Sequence, residues 1–173
     1  METTNTQVTT KNVGIKYGII GGIASVAYST VINITNNQGN QALGWLSSVI
    51  FLIVLYFAMR EFKTANKSFM TFKEGFGLGM LACVINAAIS SIYTFVYTKF
   101  IDPSFFETIK EMQREEFEKQ GLGEEQIEQT MAMMDKMMSP EITTVIGFFA
   151  VIILGLIISA IMAAIMKKEP TLF

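Results

Sequence analysis

The side chains best equipped for chemistry are gathered in one polar stretch, Lys99 to Glu141. Five thioethers fall close together there, at Met131, Met133, Met134, Met137 and Met138. Soft thioether sulfur can ligate cuprous copper, but no histidine or cysteine accompanies the group, so no metal is assigned. Ile127, Met131, Met134 and Met138 repeat at helical spacing and form an apolar stripe. A methionine stripe adapts to irregular surfaces, which makes Met131, Met134 and Met138 the candidate partner-binding residues. The same stripe also suits plain packing against a second one, Phe105, Ile109 and Met112, in a hairpin of amphipathic helices. Glu111, Glu115, Glu116, Glu118, Glu124, Glu125 and Glu128 match no calcium-loop spacing and read as a solvated face.

Elsewhere the equipment is sparse. The chain has no histidine, which removes the commonest general base, metal ligand and near-neutral proton switch. Its single cysteine, Cys83, sits in an apolar run with nothing nearby in sequence to stabilise a thiolate. Gly75-Phe-Gly-Leu-Gly is spaced differently from either phosphate-binding glycine pattern. Neither a catalytic set nor a cofactor is therefore expected, and the chain reads as a non-enzyme. Asn86 is the most polar residue inside the apolar blocks, followed by Ser90, Ser91 and Thr94. Its expected role is a hydrogen bond to a neighbouring helix. Acids and bases are missing from the middle of every block, which disfavours ion-coupled transport.

The elements that must position these residues are four long apolar blocks. Hydrophobic residues make up 51% of the 173 and charged ones 16%; an average soluble domain carries about 25% charged residues. What decides the class is distribution, because the charges lie between the blocks. The central block, Gly75 to Thr98, is free of charge and, at ~1.5 Å per residue, long enough to cross a ~30 Å hydrocarbon layer. The predicted fold is all-α: a four-span transmembrane bundle with spans near 13–34, 42–59, 75–98 and 142–166. The polar insert, 99–141, becomes a helical hairpin between spans three and four, with Asp102 capping its first helix and Gly121 ending it. Small residues recur every fourth position at Gly14, Gly18 and Gly22, at Gly75, Gly79, Cys83 and Ala87, and at Gly155, Ser159 and Ala163. Such faces let helix backbones approach closely, so Gly18, Gly22, Gly75, Gly79 and Asn86 are the candidate packing residues.

Orientation follows from the cations. Lys11, Lys16, Arg60, Lys63, Lys67, Lys73, Lys167 and Lys168 share one side in short segments, which places both termini in the cytoplasm by the positive-inside rule. The insert, richer in acids than bases, is then extracytoplasmic. Residues 1–11 read as a polar tail, without the basic start and cleavage site of a secretory signal, so the first span is expected to be retained. Lipidation signals are not found, since Glu2 follows Met1 and no cysteine lies at the C-terminus. A net charge of −2 argues against a general affinity for nucleic acid. The expected partners are the lipid bilayer and another membrane protein or a second copy of the chain.

Several short motifs occur together: Lys16-Tyr17-Gly18, Gly44-Trp45, Phe72-Lys73-Glu74-Gly75-Phe76, Tyr93 and Tyr97, and Phe100-Ile101-Asp102-Pro103. In this combination the chain resembles, over nearly its whole length, the family known as domain of unknown function 4199. The resemblance implies a small integral protein of the inner membrane, of a kind found in Bacteroidota, and carries over no catalytic or binding residue. The leading expectation is a non-enzymatic accessory or scaffold subunit that binds a membrane partner through its insert. The alternative is a small oligomeric transporter or channel using Asn86 and the nearby serines.

Overall fold

Thr9, Asn40, Thr71 and Ser139 each place a side-chain oxygen over the opening turn of a long helix. Their acceptances, from Asn12 N (3.1 Å), Ala42 N (3.0 Å), Glu74 N (3.3 Å) and Ile142 N (3.3 Å), satisfy backbone donors that a helix start leaves unpaired. Glu74 completes a capping box by accepting from Thr71 N at 2.7 Å. In the computed structural model, which describes residues 8–169, these caps begin α1 (Thr10–Ile34), α2 (Gln41–Ala65), α3 (Phe72–Val96) and α6 (Pro140–Met166). Between α3 and α6 lie α4 (Phe105–Lys119) and α5 (Glu124–Met137). The described residues form no strand; a lone bridge joins Met70 to Lys168.

All four long helices are apolar and long enough to cross a membrane, the third running to Ile101. Their surfaces are inside out relative to a water-soluble bundle. On α6 the exposed side chains include Val145, Phe149, Ile153, Ile157, Ile161 and Ile165, whereas the buried residues are Gly155, Ser159 and Ala163. In water that arrangement would expose far more contiguous apolar area than a monomer carries. In lipid it costs nothing, and small residues can be reserved for contacts between helices.

The third helix is the axis of the bundle, with α1 on one side and α6 on another. The α3–α6 seam is antiparallel, as its glycines show: Gly75 faces Ala163, Gly79 faces Ser159, and Gly155 faces Cys83. The α1–α3 seam is parallel, with Gly14 against Leu78 and Leu81, Gly18 against Ala82 and Ile85, and Gly22 against Ile89. Helix α2 lies along α1; its Phe51 and Leu55 pack with Ala82 and Cys83, while Ala58, Met59 and Phe62 fill the basic end. Met70, from the α2–α3 turn, is fully buried in that cluster. Its backbone exchanges hydrogen bonds with Lys168 at 2.9 and 2.8 Å, and Lys63 Nζ donates to Met166 O at 2.9 Å. The turn is thereby locked to the end of α6.

Several boundaries differ from the sequence reading. Thr10 and Lys11 belong to α1 because Thr9 caps it; the rest of the expected tail, 1–7, lies outside the described residues. Helix α2 runs six residues past the expected span end, to Ala65, since nothing in Arg60–Ala65 breaks a helix as it leaves the apolar layer. Beyond Val96 the chain winds one π-helical turn, Tyr97–Ile101. Within that turn Lys99 Nζ meets Glu141 Oε1 (2.6 Å) and stands 5.0 Å over the Phe95 ring. Asp102 does not cap α4. Its carboxylate instead accepts from Ser104 Oγ at 2.7 Å, and the helix starts at Phe105 with no side-chain cap.

Candidate functional site

Inside the bundle, polar atoms pair in a short ladder between α1 and α3. Asn86, 5% exposed, accepts through Oδ1 from Ser25 Oγ at 3.1 Å, beside Gly21. Two turns on, Thr30 Oγ1 lies 2.9 Å from Tyr93 OH while donating to Val26 O. These bonds tie helices together, and the glycine seams beside them leave little space: a Cβ at Gly79 would lie 2.6 Å from Ser159 Oγ, and one at Gly155 would fall on Cys83 Sγ. The Cys83 thiol is 1% exposed and donates to Val151 O at 3.4 Å, a packing role. Gly18 and Gly22 do not meet Gly75 and Gly79. The first pair receives the larger side chains of α3, and the second receives α6.

The α4–α5 pair is held differently. Phe106 and Ile127 are its only buried apolar residues among those described. Lys110 joins the two helices by donating to Glu107 Oε1 (2.6 Å) and Asp135 Oδ1 (2.9 Å). Hydrogen bonds to Glu107 and then Asp135 hold its ammonium above the usual lysine range. Gly121 makes the turn at φ +76°, a backbone state open to glycine at little cost. Met131, Met134 and Met138 are half-buried, and Met131 shares a groove with Glu107, Lys110, Glu111, Arg114 and Asp135. Met131 thus turns toward α4. Met133 and Met137, 67% and 53% exposed, point away from it.

A cleft of about 790 Å³ separates α4 from the α1–α2 turn. Gln38, Asn40, Gln113, Glu116 and Gln120 line it with amides and one carboxylate, and Trp45 stands at its wall. Met112 approaches Gly39, and Tyr97 meets the Phe105 ring edge-on at 6.1 Å, so the pair leans on the bundle by its rim. The signal in the sequence for this polar wall is the amide-rich run 35–41.

At the opposite, basic end, α1 and α2 meet through an ionic contact absent from the sequence reading. Glu61 Oε2 accepts from Lys16 Nζ at 2.7 Å and from Tyr17 OH at 2.9 Å. Beside it a groove of about 390 Å³ is lined by Tyr17, Phe57, Arg60, Glu61, Thr64 and Ala65. Nowhere among the described residues do three carboxylate or thiol groups converge as a metal ion would need.

Four apolar spans around a glycine-packed axis, with an amphipathic pair inserted before the last, define an all-α membrane protein. Residues 16–168 match the model of the family described as "Protein of unknown function (DUF4199)", and the chain belongs to that family. No curated protein and no solved structure matches it.

Proposed function

We propose that this protein is a non-enzymatic accessory subunit of the bacterial inner membrane, with both termini in the cytoplasm and α4–α5 presented outside to a membrane partner. The cation count supports the sidedness: eight of thirteen lie in short segments at the end bearing the termini. The observation that carries the partner reading is the exposure of the Met133 and Met137 side chains on a helix pair whose buried apolar contact is slight. Adaptable thioethers held clear of their own fold suit a protein surface better than a small ligand. The docking surface is accordingly centred on Met133 and Met137, with the half-buried Met131, Met134 and Met138 beside them.

Cross-linking and affinity capture from native membranes provide the test. Met133→Ser with Met137→Ser should abolish capture of a membrane protein that the wild type retains, with helicity and thermal stability unchanged. Undiminished capture by that double variant would defeat the reading. Solute flux in reconstituted vesicles, lost on Asn86→Leu, would replace it with an oligomeric transporter.

A further inference from the structure

We infer that the groove between α1 and α2 at the basic end seats the headgroup of one anionic phospholipid, with Arg60 gripping its phosphate. The inference rests on the membrane reading but not on the partner of α4–α5, nor on which face is cytosolic. Arg60 is exposed at the groove and forms no ion pair among the described residues. Glu61, the acid in the same wall, already accepts from both Lys16 and Tyr17. Two cations and one carboxylate leave a single positive charge, which a phosphodiester would neutralise. The guanidinium fork matches two phosphate oxygens, and the exposed Thr64 hydroxyl can donate to a third polar atom.

The site is amphipathic in the direction a lipid requires. Phe57 lines the groove and Ile53 lies one turn further into the apolar layer on the same face of α2, at 45% and 50% exposure. An acyl chain can follow that ridge while the headgroup stays level with Arg60. A soluble phosphate would use none of it. Lys11, Lys63 and Lys67 at the same end add long-range attraction for anionic lipid, and Lys63 is itself held by Met166 O.

Native mass spectrometry of the full-length protein in detergent, titrated with phosphatidylglycerol or phosphatidylcholine, tests the assignment. The wild type should retain one phosphatidylglycerol in preference to phosphatidylcholine. Arg60→Gln should lower that retention on the order of tenfold, as loss of a charge-assisted bidentate contact implies. Arg60→Lys should fall between, and Lys167→Gln, at the same end but outside the groove, should change it by less than about twofold. Equal retention of the two lipids would overturn the proposal. So would equal losses in Arg60→Gln and Lys167→Gln, which mean diffuse attraction, or displacement of the lipid by millimolar inorganic phosphate. Recovery of the chain as a detergent-free soluble monomer would instead sink the membrane reading itself.

Discussion

The α1–α3–α6 seams and the α4–α5 pair solve opposite problems. In the seams, Gly, Ala, Ser and Cys bring backbones together, so stability comes from close contact between rods that lipid alone would not drive together. In the pair, apolar burial is slight and the links are exposed ion pairs such as Lys110–Asp135, which contribute little once solvent screens them. One region is fixed by steric fit and cannot yield. The other is tethered and can adjust.

Substitutions that fill the seams should have the largest effects. Gly155→Leu would drive a side chain into Cys83 and toward the Phe51 ring, at a cost of about 3 kcal/mol, the upper part of the overpacking range. Gly18→Leu should approach that figure because Ala82 O stands 3.0 Å from a Cβ there. Gly77→Ala, with open space around it, should be neutral or slightly stabilising. Unfolding in mixed micelles would rank the three, and equal losses would mean that the seams do not govern stability.

Asn86→Leu removes the acceptor for Ser25 and should cost about 0.6 to 1.7 kcal/mol by the same measurement. Gly121→Ala should cost about 1 kcal/mol through backbone strain, since no neighbouring atom obstructs the methyl. Hydrogen exchange should then rise in α4 and α5 alone; a rise in α3 or α6 would show that the two regions are coupled.

The smallest effect belongs to Lys110. Its folded pKa is raised, so its contribution is complete below the unfolded value of about 10.4 and fades as pH climbs through the folded one. Exchange from the α4–α5 pair should therefore rise only in strongly alkaline solution on this residue's account, and Lys110→Gln should abolish that alkaline step.

Much of this contrast was legible in the chain. The four-residue spacing of small side chains marks which face of each helix packs, because a helix brings every fourth residue to one side. It does not say which neighbour fills the face. Gly18 and Gly22 accept Ala82, Ile85 and Ile89 rather than the glycines of α3, a choice made by the register of whole helices. The methionine stripe was equally visible, but the placement of Met131 beside Lys110 and Arg114 depends on how α4 and α5 meet, as does the exposure of Met133 and Met137. The Lys16–Glu61 contact was hidden for another reason. It joins residues on separate helices, and one of them lies beyond the apolar run that marks the span.

Cysteine accessibility tests the central claim most directly. With Cys83 replaced by Ala, a single cysteine at Glu128, exposed on α5, should react with a membrane-impermeant maleimide in intact spheroplasts, and a single cysteine at Lys67 only after permeabilisation. Labelling of Lys67→Cys from outside, with Glu128→Cys protected until the membrane is opened, would contradict the arrangement; reaction of both from one side would remove the bundle itself.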